Sequence, residues 1–262
     1  MTNRLSKFSL KRIQLGFIIL FYLVLTVPLM NKALWHDEIY NTSIYLKALP
    51  FSQPQLSVYN WSTDWRRQIP LHPPALSLFY YVWIRCFGDS EVSLHIPAAI
   101  AGAAGIILFY LLGSIMFDCD VAFMSALALT SCSAHIMYSV QTVHAIFEML
   151  NLLASALVLA YFLTGPSPSL FRRLLILNAV GLLIGYYYIF FLWMQTVIFA
   201  TRRKFLNISW VYFLVILMLT VLVLGFIKCS YDRGRYNFNH WPRNNFKQTL
   251  SNILYLPTGF TQ

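Results

Sequence analysis

Trp35-His36-Asp37-Glu38 sets two adjacent carboxylates just beyond the first long apolar run of the chain. Acidic pairs where a membrane span meets water are seldom needed for folding, so they point to chemistry. A carboxylate within hydrogen-bond reach of a hydroxyl can take its proton as that hydroxyl attacks. Leu71-His72-Pro73-Pro74 follows in the same loop, and Arg66 and Arg67 lie between the two phrases. Guanidinium groups there could meet a phosphate, and His36 with His72 could share a divalent cation. Blander roles exist for each: Asp37 and Glu38 as caps of an interfacial helix, the arginines as headgroup anchors, His72 as the end of an extended stretch. Together the phrases suggest a membrane-embedded transferase acting on a lipid-linked substrate.

The elements that must position these residues follow from composition. Hydrophobic residues make up 58% of the chain and charged ones 11%, against roughly 25% charged in soluble domains. Apolar runs of about 18 residues or more with almost no charge are bilayer spans, and the chain has several. The fold expected is therefore all-α and multi-pass. The net charge of +10 does not indicate nucleic acid, because the basic residues sit in short clusters between apolar runs. Arg4, Lys7, Lys11 and Arg12 form one cluster, Arg172 and Arg173 another, and Arg202, Arg203 and Lys204 a third. That is the pattern of positive-inside orientation signals, not of a continuous basic face. Cys86, Cys119, Cys132 and Cys229 show no metal or redox spacing.

With a cytoplasmic N-terminus, residues 13–30 cross outward as an uncleaved span, since the apolar run exceeds that of a signal peptide. Residues 31–95 form a long external loop, within which 75–87 reads as a short apolar helix lying flat at the interface. Spans are expected at 97–117, 121–137 and 145–163, with a tight inner turn at Asp118-Cys119-Asp120. Gly165-Pro166-Ser167-Pro168 is a loop signal. Residues 174–200 read as two abbreviated helices turning near Gly185-Tyr186-Tyr187-Tyr188, and 210–228 as the last span, for a total of about seven. The transmembrane module then occupies 1–228, and 229–262 reads as the start of a truncated external segment. On this topology Glu148 sits about one turn inside a span, where an ionisable group is a functional candidate by default.

Several residues carry a resemblance to a known family. Leu34-Trp35-His36-Asp37-Glu38 resembles the first-loop acidic motif of the dolichyl-phosphate-mannose-type protein O-mannosyltransferases and their bacterial relatives, the aminoarabinose transferases. These are glycosyltransferases of the GT-C class. His72-Pro73-Pro74, Phe87-Gly88-Asp89-Ser90-Glu91, Leu94-His95-Ile96-Pro97, Tyr110-Leu111-Leu112-Gly113 and His135-Ile136-Met137-Tyr138-Ser139 are similar to that family's successive blocks, in order.

The resemblance implies a GT-C-type module that moves a sugar from a polyprenyl-phosphate donor to an acceptor hydroxyl outside the cytoplasm. The acceptor would be a glycan, lipid or protein, and the enzyme would sit in the plasma or inner membrane of the cell envelope. It implies Asp37 as catalytic base, with Glu38 beside it for acceptor or metal contact; no cofactor is firmly indicated. His72, Arg66 and Arg67 are the substrate-contact candidates of the first loop, and Gln141 and His144 those of the second. Two departures stand out: Gln141-Thr142-Val143-His144 occupies the place where members commonly have Gln-Glu-Ala-Arg, and His95 replaces an arginine. An inert remnant or assembly partner keeping only the fold is the alternative. A transporter or flippase is the less favoured rival, since no internal repeat is visible.

Overall fold

The computed structural model describes residues 2–32, 75–202, 212–222 and Gly225, and is helical throughout apart from turns and caps. Asp37, Glu38, Arg66, Arg67, His72 and the terminal segment 229–262 lie outside the described residues. The helices are α1 (Thr2–Thr26), followed by a 3-10 turn at Val27–Leu29, then α2 (Ala75–Phe87), α3 (Glu91–Met116) and α4 (Cys119–Ser131). After them come α5 (Ser133–Tyr138), α6 (His144–Thr164), α7 (Pro168–Ile184), α8 (Tyr188–Thr201) and α9 (Tyr212–Leu222).

Helices α3 and α6 form the central pair; α4 and α1 pack on one side of it, α7 and α8 on the other. Small residues bring the pair together. A methyl group on Gly105 of α3 would lie 2.8 Å from Met149 Cε of α6, and one on Gly113 would lie 3.2 Å from Ala122 Cβ of α4. Without an aqueous driving force inside a bilayer, such close backbone approach supplies the packing. Ile18, Tyr22, Ile106, Tyr110 and Ala126 fill the α1–α3–α4 side. Leu159, Phe162, Leu174, Leu192, Phe199 and Tyr212 belong to the core of the other.

Among the described residues, three helical stretches are long and apolar enough to cross a membrane: Lys11–Leu29, Glu91–Met116 and His144–Thr164. The expected total of about seven is not confirmed on length. The 13 residues of α4 rise only about 20 Å, against a hydrocarbon core of roughly 30 Å. The run 121–137, expected to be one span, is divided at Cys132, whose backbone is extended. At the end of α4, Thr130 Oγ1 donates to the Ala126 carbonyl at 2.8 Å and Ser131 Oγ to Leu127 at 2.9 Å, bonds that slightly weaken a helix.

Helix α3 starts at Glu91, six residues before the expected span. Ser90 caps it, accepting from the Ser93 N–H at 3.3 Å, and Pro97 lies inside the helix. Gly88, at φ +82°, turns the chain out of α2, a conformation that costs glycine little. The α2 bounds match those expected. Asp118 Oδ1 caps α4 by accepting from Asp120 and Val121 N–H groups. Ser167 caps α7, with Pro168 in its first turn, so the helix begins six residues before the expected 174 and carries Arg172 and Arg173 on its exposed surface. It stops at Ile184, and the chain turns through Gly185, Tyr186 and Tyr187 into α8.

Candidate active site

The polar residues that the fold buries gather towards one end of the bundle. That end is defined by the start of α3, the start of α6 and the turn between α7 and α8. The segment 33–74 joins the described part of the chain here on both flanks. On one flank, the buried ring of His95 in α3 lies with Nδ1 2.8 Å from the Met30 carbonyl, just beyond α1. On the other, α2 packs Leu76, Tyr80 and Ile84 against Leu94 of α3, and Tyr80 meets Phe147 of α6 edge-on at 6.1 Å. His95, at the position of an expected arginine, thus holds backbone.

The stretch Ser139–Thr142 crosses this end as buried, non-helical chain. Gly102 makes room for it: a side chain there would overlap Ser139 Oγ and the Tyr22 hydroxyl. Tyr22 in turn donates to the Ala99 carbonyl at 2.8 Å. Gln141 is buried in this crossing and His144 is the half-buried first residue of α6. Both sequence candidates of the second loop therefore lie at the same end as the flanks of the first.

Beneath His144 runs a polar stripe that spacing alone could have revealed. His144, Glu148, Asn151 and Ser155 recur at intervals of four, three and four residues, one face of a helix. Glu148, Asn151 and Ser155 are buried. Gly181 of α7 and Gly185, just past its end, accommodate them. A side chain on Gly181 would strike Asn151 Nδ2 at 2.6 Å, and one on Gly185 would overlap the Glu148 carboxyl group.

The deeper part of the stripe is hydrogen-bonded across helices. Asn151 Nδ2 donates to the Leu177 carbonyl at 3.0 Å. The Tyr188 hydroxyl lies 2.6 Å from Ser155 Oγ and donates at 2.8 Å to Asn178 Oδ1, which can only accept. Asn178 Nδ2 and the Tyr212 hydroxyl both donate to Gln195 Oε1, at 2.7 and 2.6 Å. This network ties α6, α7, α8 and α9 in register, with Tyr188 entering it from the expected turn.

Glu148 differs from the residues below it. Its Oε1 is buried with no hydrogen-bond partner among the described residues. In the adjoining turn, burial pushes the Tyr186 hydroxyl up to about 12, so it remains a neutral donor at any physiological pH. The described residues contain no group of three or more His, Cys, Asp or Glu side chains that could hold a metal ion.

The family model for dolichyl-phosphate-mannose-protein mannosyltransferases matches residues 71–226. The match takes in His72, Gln141, His144 and Glu148 and starts after Asp37, Glu38, Arg66 and Arg67. Comparison with curated proteins and with solved structures found no match.

Proposed function

The chain belongs to the dolichyl-phosphate-mannose-protein mannosyltransferase family, and on that premise we propose that it moves a sugar from a polyprenyl-phosphate donor to an acceptor hydroxyl at the non-cytoplasmic face of a membrane. Membership makes it a membrane glycosyltransferase of the GT-C type at the family level. The observation that carries the finer reading is the gathering of Gln141, His144 and Glu148 at the end of the bundle where the segment with Asp37 and Glu38 is attached.

In the reaction, the acceptor oxygen bonds to the anomeric carbon as its proton passes to the Asp37 carboxylate. The bond from that carbon to the phosphate oxygen breaks, and polyprenyl phosphate leaves. Positive charge on the sugar in the transition state favours nearby carboxylates, with Glu38 the second of the pair. Arg66 and Arg67 offer bidentate donors to the departing phosphate. The Gln141 amide and the His144 ring are further donors, and His72 is a contact from the first loop. The lipid tail of the donor stays in the bilayer beside the bundle.

Orientation follows from charge. Lys11 and Arg12 near the start of α1, and Arg172 and Arg173 near the start of α7, lie at the end opposite Glu148. Placing those cations in the cytoplasm puts the candidate site outside.

The test is transfer by the native protein, purified from its own membranes and reconstituted with labelled dolichyl-phosphate mannose and membrane extract as acceptor source. Acceptor-bound label with release of dolichyl phosphate supports the proposal; absence of both contradicts it. A second reading, an inert partner that binds lipid phosphate without turnover, is favoured by Thr142 and His144, which give the second turn neither a carboxylate nor a guanidinium. It predicts binding of the donor and no transfer.

A further inference from the structure

A buried carboxyl group with one unengaged oxygen stands at the top of the polar stripe. Asn151 and Ser155 continue the same face of α6, and each has a hydrogen-bond partner. Tyr188 and Asn178 are hydrogen-bonded beside them. Glu148, the uppermost buried member of the stripe, has an oxygen that lacks a partner among the described residues, as does Gln195 Nε2 at the far end of the network. An oxygen of a residue only 9% exposed costs free energy unless something pairs with it. No ion pair among the described residues neutralises it. Its place in the bundle is also built: Gly185 is extended backbone without a side chain, and the carboxyl group occupies the space a Cβ would need.

We infer that Glu148 is a sugar-recognition residue, whose Oε1 accepts a hydrogen bond from a hydroxyl of the donor's sugar. Sugar hydroxyls are O–H donors, and a carboxyl oxygen accepts from them in either protonation state. The depth favours the donor over the acceptor. Glu148 lies one turn inside α6, on the bilayer side of His144, where a sugar held by a membrane-anchored tail arrives. The cover over it is the Gly185–Tyr187 turn, where Gly185 has no side chain to displace and Tyr187 is exposed. The inference rests on the donor class proposed above and adds a specificity residue to it.

Two lipids separate the sugar from the phosphate: dolichyl-phosphate mannose and bare dolichyl phosphate, each titrated against the purified protein in nanodiscs. The wild type is expected to bind the mannosylated lipid at least tenfold more tightly. Glu148→Leu, which removes both oxygens at a similar volume, should bring that ratio close to one while leaving the bare lipid's Kd within about twofold. Glu148→Asp, which withdraws the carboxyl group by one methylene, should fall between, and it serves alone if the Leu variant does not fold. An unchanged ratio in the variants overturns the role of Glu148 and leaves the proposed function standing. A wild type that binds both lipids equally also overturns it. Binding of neither lipid by the wild type overturns both.

Discussion

The indole N–H of Trp83 donates to the Ser93 carbonyl at 2.9 Å, the carbonyl that Pro97, lacking an N–H, leaves without its helical partner. Ser93 Oγ reaches the opposite way and donates to the Gly88 carbonyl at 3.0 Å. One residue of α3 therefore locks α2 onto the start of the long central helix, and with it the end of the bundle that carries the candidate site.

Trp83→Phe should then destabilise the protein by about 1–3 kcal/mol, the cost of a buried carbonyl left unpaired. Pro97→Ala restores the helical donor, so the double variant should lose less than the sum of the two single changes. Thermal unfolding in detergent reads this cycle; strict additivity would show that the indole is not replacing the missing N–H.

Gly185→Ala tests the fit of Glu148. The backbone at 185 is extended and suits alanine, so any cost is steric. We expect a loss of roughly 1–3 kcal/mol, as for overpacking, largely relieved when Glu148→Ala is added. Equal stability of Gly185→Ala and wild type would mean that the carboxyl group does not fill that space.

Tyr188→Phe removes the hydroxyl that meets Ser155 and Asn178. Asn178 Oδ1 then loses a bond it cannot replace in a buried site, for an expected loss of about 1–3 kcal/mol in unfolding experiments. Tyr187→Phe, altering an exposed ring one residue earlier, should change stability by less than about 0.5 kcal/mol.

Native cysteines report the topology. Cys86, exposed at the end of α2, and Cys119, half-exposed at the start of α4, lie at opposite ends of α3. In a Cys132→Ala, Cys229→Ala background, a membrane-impermeant maleimide should label Cys86 in intact cells, and Cys119 only after permeabilisation. The reverse pattern would invert the orientation.

Much of this architecture was legible in the sequence, for local reasons. The Gly-Pro-Ser-Pro loop, the turn at Gly185 and the bounds of α2 follow from apolar runs and from residues that end helices. The early start of α3 was missed because Pro97 reads as a first-turn residue; only the contact with Trp83, fourteen positions away in sequence, allows it inside. The break at Cys132 lies within an apolar run and carries no glycine or proline to announce it. The stripe of His144, Glu148, Asn151 and Ser155 was visible in its spacing. Its partners Asn178, Tyr188, Gln195 and Tyr212 could be assigned only once the helices were packed, because nothing local says which buried amide faces which hydroxyl. The roles of Asp37, Glu38, Arg66, Arg67 and His72 are proposals that rest on sequence alone.

The most direct measurement of the central claim is sugar transfer by Asp37→Asn beside the wild type, with donor binding followed in the same preparations. Loss of a general base costs about 10²- to 10⁴-fold in rate, so transfer should fall by at least 100-fold while dolichyl-phosphate mannose still binds. Transfer at the wild-type rate by Asp37→Asn would contradict the mechanism.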